Sequence, residues 1–170
     1  PDPGDSLPGD DDILVVRRDP GGWAAPVNIS HNGDADDHPT WNPAGTRIAY
    51  SSLVPGVGTE IFIAKFDHDI GQWTSMKITD AVSGPADGVT AKQRPEWAPD
   101  AGMIAFRGSV SDPGGPIKNI YLIAFDGSMW SAPVQLTQNA DTTQTPTRAT
   151  WSPDGTRIAY HVLGGASVHV

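Results

Sequence analysis

Apolar residues arrive along this chain in short bursts of three recurrent kinds. One opens with isoleucine and closes on aspartate six residues later, at Ile13 to Asp19, Ile61 to Asp67 and Ile120 to Asp126. Another is Ile-Ala followed by an aromatic residue, ending at Tyr50, Phe106 and Tyr160. The last pairs an aliphatic residue with a hydroxyl, at Ile29-Ser30, Ile78-Thr79 and Leu136-Thr137. Runs this short, rich in β-branched and aromatic residues, predict strands. The 19 glycines and 16 prolines punctuate the chain too often for long helices.

Tryptophan fixes the period of these bursts. Trp41, Trp97 and Trp151 head near-identical phrases spaced 56 and 54 residues apart. The phrases are Trp41-Asn-Pro-Ala-Gly-Thr-Arg-Ile-Ala-Tyr50, Trp97-Ala-Pro-Asp-Ala-Gly-Met-Ile-Ala-Phe106 and Trp151-Ser-Pro-Asp-Gly-Thr-Arg-Ile-Ala-Tyr160. Trp23, Trp73 and Trp130 form a second family, each five or six residues ahead of an aliphatic-hydroxyl pair, so all six tryptophans are repeat positions. A fixed order of phrases at a period of this size is the signature of a repeat architecture.

Each unit reads as four short antiparallel strands. Strand A carries the first Trp, and the Pro and Gly after it are turn chemistry, with Pro setting φ and Gly or Asp supplying the reversal. Ile-Ala-Tyr is strand B, the Ile-to-Asp run is strand C, and strand D runs from the second Trp to the hydroxyl. The small Ala between two bulky neighbours suits a strand against which the next sheet must pack closely. Four such strands make one blade of a β-propeller. The predicted fold is therefore all-β, a partial propeller of about three repeats: strands C and D at 13–30, blades at 38–79 and 94–137, and strands A and B with a possible start of C at 148–170.

These phrases resemble the TolB-like propeller repeat, also called the WD40-like PD40 repeat, whose hallmark is Pro-x-Trp-Ser-Pro-Asp-Gly followed by Ile-Ala-Phe/Tyr. Trp151 to Tyr160 matches it at almost every position, and Pro39 and Pro95 supply the leading proline. Ala44 stands in place of Asp, Ala101 displaces the Gly by one position, and Ala149 replaces the leading Pro. The resemblance implies a noncatalytic binding or scaffold module facing a protein partner in the periplasm or outside the cell, in envelope or surface assembly. Relatives also include accessory domains that gate a peptidase, so a hydrolase accessory role stands as an alternative. A third reading, carbohydrate binding, requires exposed aromatic residues in the loops.

Two whole blades and two part blades sum to three, too few to close a ring that takes four to eight. Unpaired edge strands invite association. Either two copies join edge to edge, or these residues are a segment of a longer polypeptide with further blades.

Charge narrows the partners. Eleven basic and 20 acidic residues give a net charge of −9, the wrong sign for nucleic acid or anionic lipid. No stretch approaches the roughly 20 apolar residues that span a bilayer as a helix, so membrane insertion is not expected. Cysteine is absent, which removes disulfides and thiolate chemistry. Pro1 to Asp12 reads as an acidic Pro/Gly leader or linker.

The connections from strand D to strand A vary most, and loops on a rigid scaffold commonly carry function. In the first, Asp34, Asp36 and Asp37 offer three carboxylates to a hard cation such as calcium, although the spacing lacks the distal Glu of an EF-hand and a solvated turn is the better match. Three residues before each strand-A Trp stand His38, Arg94 and Arg148. Equivalent positions in successive blades place these basic groups near one channel mouth, where they could hold an anionic group of a partner or pair with local aspartates. No Gly-x-Ser-x-Gly elbow, phosphate-binding glycine loop or metal-ligating histidine spacing occurs, so no catalytic residue is assigned.

Overall fold

The computed structural model describes residues 11–79, 88–139 and 142–164, and the leader Pro1 to Asp10 and the possible strand start at 167–170 lie outside them. Two four-stranded antiparallel meanders form its centre. The first comprises β5 (Asp36–Trp41), β6 (Arg47–Val54), β7 (Gly58–Asp67) and β8 (Gln72–Lys77), and the second β9 (Val89–Trp97), β10 (Met103–Val110), β11 (Ile117–Ala124) and β12 (Val134–Gln135). They are flanked by an N-terminal hairpin, in which β1 (Leu14–Val15) pairs with β4 (Val27–Asn28) and β2 (Arg18–Asp19) with β3 (Gly22–Trp23), and by a C-terminal hairpin of β13 (Thr145–Trp151) and β14 (Ile158–Leu163). Among the described residues there is no helix, and the sheets are open.

Register repeats with the sequence. Trp41 faces Ile48, Trp97 faces Ile104 and Trp151 faces Ile158 across the first hairpin of each unit. Across the next strand pair, Tyr50 stacks on Phe62 with ring centroids 5.7 Å apart, and Phe106 on Tyr121 at 5.8 Å. Trp41 meets Trp73 edge-on at 6.2 Å, and Trp97 meets Trp130 at 5.8 Å. Such cross-strand aromatic pairs are a principal stabilising unit of a sheet.

The fourth strand departs from expectation. It is continuous in β8, but in the second meander only β12 and an isolated bridge between Phe125 and Trp130 remain, and the N-terminal hairpin is broken between β3 and β4. Pro26 and Pro133 stand three residues after Trp23 and Trp130, where the unbroken copy has Met76. Proline brings no N–H to the ladder, so the strand lapses beside it.

Neighbouring units pack in a repeated way. Strand β9 lies against β5, β6 and β7, and β13 lies against β9, β10 and β11. Ala49 is wholly buried in a cluster with Trp97 and Trp130, and Ala105 in one with Ala149 and Trp151. Backbones approach so closely that a Cβ on Gly58 would lie 2.2 Å from the Thr90 carbonyl oxygen.

A hydroxyl tether closes each unit. The N–H groups of Ile13, Ile61 and Ile120 donate to Ser30 Oγ, Thr79 Oγ1 and Thr137 Oγ1 at 3.3, 3.1 and 2.9 Å. The hydroxyls donate onward to the side chains of Asp12, Glu60 and Asn119. This is the physical role of the aliphatic-hydroxyl pair. At the junction of the two meanders Glu60 also receives Lys92 Nζ at 2.9 Å, and Lys92 donates to the Val89 carbonyl at 3.0 Å.

Lys92 and Glu60 are 1% and 2% exposed, so removing one partner strands a buried charge. Lys92→Met is expected to lower the free energy of unfolding by about 3–5 kcal/mol, and the double change Lys92→Met with Glu60→Gln by much less. Urea unfolding of both variants checks this, and equal losses would show that the pair does not act as a pair.

Candidate functional site

The first strand of every unit carries the same irregularity. Pairing slips between Asp37 and Thr40 on β5, between Gln93 and Glu96 on β9, and between Pro146 and Ala149 on β13. Two residues there face one on the partner strand, as in a β-bulge, which re-aims side chains. His38 and Arg94 sit in these bulges with φ of 55° and 58°, each just before a proline. A left-handed backbone at a non-glycine residue persists only where its surroundings enforce it. Ser51 does so for Arg94, accepting its backbone N–H at 3.1 Å from the neighbouring meander. Arg148, followed by Ala149 where the other copies have proline, shows no such backbone.

The three bulges bring His38, Arg94 and Arg148 together around a cavity of about 40 Å³ that Pro39 and Pro95 also line. Their local partners differ. His38 Nδ1 lies 2.5 Å from Asp37 Oδ1. Arg148 Nη2 lies 2.9 Å from Glu96 Oε2 on the preceding meander. The Arg94 guanidinium makes no ion pair among the described residues, and its Nε is buried without a hydrogen-bond partner.

A fourth basic residue belongs to the cluster. Arg107, on β10 opposite Gln93, bonds that side chain through Nη2 and also has a buried Nε without a partner. Burial first, and the charge of Arg94 second, push its pKa below the ordinary arginine value, against the opposing pull of Asp37. The signal in the sequence was its place: Ser51, Arg107 and His161 each follow the Ile-Ala-aromatic phrase, and only one is an arginine.

Asp34, Asp36 and Asp37 do not converge. The Asp34 N–H donates to Asn32 Oδ1 at 3.0 Å, Asp36 accepts from Asn32 Nδ2 at 3.4 Å, and Asp37 turns to His38. Consecutive strand residues point to opposite faces, which separates the last two. Among the described residues no group of three His, Cys, Asp or Glu is placed to hold a metal ion, and calcium is not carried further.

On another face lies a groove of about 1130 Å³ whose apolar lining includes Val15, Val27, Trp41, Phe66 and Trp73. Trp41 is 48% exposed, whereas its repeat equivalent Trp97 is 5% exposed, and Trp23 is also open. Tryptophans of the repeat are thus not uniformly withdrawn from the surface. The N-terminal hairpin presents Ala24 and Ala25 to the groove, and two strands cover less than the four of a full meander.

No family model and no curated protein matches the chain. Among solved structures, the crystal structure of TolB from Acinetobacter baumannii is similar over 95% of this chain and 42% of that one, at 21% identity and a TM-score of 0.47. The chain thus spans less than half the length of that protein. No helix among the described residues is long and apolar enough to cross a membrane.

Burial is the main cause raising the Asp36 carboxyl above its ordinary 3.8, with the Asp12 charge adding to it and Ser52, Ser30 and Asn32 opposing. Between the raised value and 3.8 the folded chain holds a proton that the unfolded chain has released, so stability rises as pH falls through that window. Asp36→Asn is expected to be more stable than the parent at neutral pH and to lose this dependence. Urea midpoints across the acidic range check it; an unchanged slope would assign the effect to another group.

Proposed function

We propose that this chain is an arc of a β-propeller and works as a noncatalytic binding or scaffold module that presents one end of its inner strands to a protein partner, in assembly at the cell envelope or surface. The observation that supports it is the repeated packing of β9 on the first meander and of β13 on the second, with the same bulge in each first strand delivering a basic side chain to one place. Successive wedges arranged so put their first strands side by side, as blades do around an axis. Further blades, from a second copy or a longer polypeptide, would cover the edges left open. The chemistry fits binding: guanidinium and imidazole groups hold anions.

The aromatic groove favours a second reading, carbohydrate binding. Exposed Trp41 and Phe66 beside the polar edges of Gln72 and His68 give an apolar groove with hydrogen-bonding neighbours. Under this reading soluble oligosaccharides change the tryptophan fluorescence of the parent and not of Trp41→Ala.

The end of the arc that carries the connections into β5, β9 and β13 is expected to meet the protein partner. Photo-activated cross-linking residues at Val57 and Gln138, on that end, should give discrete protein adducts in the native host. The same residues at Ala44 and Ser128, in the turns of the opposite end, should not. Equal labelling at both ends, or none at the first, would overturn the protein-partner reading.

A further inference from the structure

We infer that Arg94, rimmed by His38 and Arg148 and with Arg107 on the adjoining strand, forms a subsite for a single carboxylate, an acidic side chain or the terminal carboxylate of a bound peptide. The inference rests on the protein-binding reading and specifies the group that this surface recognises.

Four observations converge on it. Arg94 lines the cavity and Arg107 stands on the adjoining strand opposite Gln93, and the buried Nε of each has no hydrogen-bond partner among the described residues, a costly arrangement unless a ligand completes it. The nearby carboxylates lie against the rim, Asp37 on His38 and Glu96 on Arg148, and neither forms an ion pair with Arg94 or Arg107 among the described residues. The backbone at Arg94 is held in a left-handed conformation by a buried hydroxyl of the neighbouring meander, a restraint that positions the side chain and contributes little to strand pairing. Burial first and the Arg94 charge second depress the Arg107 pKa, with Asp37 opposing, which agrees with a locally cationic surface.

Size and charge select the ligand class. The cavity of about 40 Å³ slightly exceeds the roughly 30 Å³ that one water occupies in the liquid, which suits a small anionic head and excludes a sugar ring or a nucleotide base. A planar carboxylate accepts two parallel N–H bonds from a guanidinium fork, which a lysine cannot supply. The net charge of −9 repels polyanions at long range, so a lone carboxylate on a weakly charged peptide is favoured over nucleic acid or a polyphosphate.

The test is fluorescence anisotropy of labelled Ac-Glu-Glu-Glu-amide, Ac-Gln-Gln-Gln-amide and a peptide with one free terminal carboxylate, titrated with the 170-residue chain, with acetate, inorganic phosphate and chloride as competitors. Binding of the carboxylate peptides alone is expected, with acetate displacing them better than chloride. Arg94→Lys and Arg107→Lys keep the charge and are expected to weaken binding at least about tenfold each, while circular dichroism verifies that they remain folded. Should Arg94→Lys not fold, protection of Arg107 from phenylglyoxal by acetate in the parent chain serves instead. Indifference to the lysine changes, equal binding of the Gln peptide, or preference for phosphate overturns the carboxylate assignment. If peptides fail while the cross-links still gather at one end, the subsite falls and the protein-binding reading stands; if the cross-links also fail, both fall.

Discussion

Everything in this structure depends on how closely the first strand of one unit lies over the sheet before it. A Cβ at Gly58 would collide with the backbone of the next unit's first strand, and Ala49 and Ala105 leave the space in which Trp97 and Trp151 lie. A buried tryptophan removes roughly 150–250 Å² from water, which at ~25 cal/mol per Å² is about 4–6 kcal/mol of transfer free energy. That term is available only while the facing residue stays small. The small residue at the contact is thus as necessary as the tryptophan, and the Ala of the Ile-Ala-aromatic phrase recurs with the strand-A Trp in every unit.

Polar contacts add order to this apolar packing. The hydroxyl tether is the same in all three units, but the group it feeds changes from Asp12 to Glu60 to Asn119. What faces that group changes too: Asp36 at the first junction and Lys92 at the second, each five residues before its strand-A tryptophan. The second junction therefore closes on a buried ion pair, whereas the first sets one buried carboxylate near another. Buried charge pairs seldom add much net stability, yet they penalise every mismatched arrangement. Units alike in apolar surface become distinguishable through these side chains, and each sheet acquires a preferred neighbour.

Much of this was legible in the sequence because it is local or periodic. The tryptophan spacing, the Ile-Ala-aromatic strand and the Pro-Gly turns each reflect a rule that operates within a few residues, and the strands follow them. The broken fourth strand was also written there, in Pro26 and Pro133 against Met76. What escaped depends on contacts between units. Arg107 looks like any strand arginine until the bulge at Gln93 and Glu96 sets it beside Arg94. Trp41 and Trp97 occupy the same line of the repeat, and only the extent of the preceding sheet separates an exposed ring from a buried one. The acidic loop misled for the converse reason, since three carboxylates close in sequence are turned apart by strand alternation and by separate partners.

The distribution of charge follows from the same geometry. Acidic residues outnumber basic ones almost two to one, yet the positions that the bulges turn toward one another are His38, Arg94 and Arg148. Bringing like charges together costs energy wherever water is scarce, and a chain with spare carboxylates could have cancelled that cost with one more aspartate. Instead Asp37 and Glu96 engage the outer members, and the two central guanidinium groups remain short of acceptors. An acidic exterior around a cationic centre attracts little at a distance and much on contact. Under the proposed carboxylate reading, such a surface would discriminate by fit at short range, since a polyanion is repelled before it arrives while a single well-placed carboxylate meets the full field only after docking.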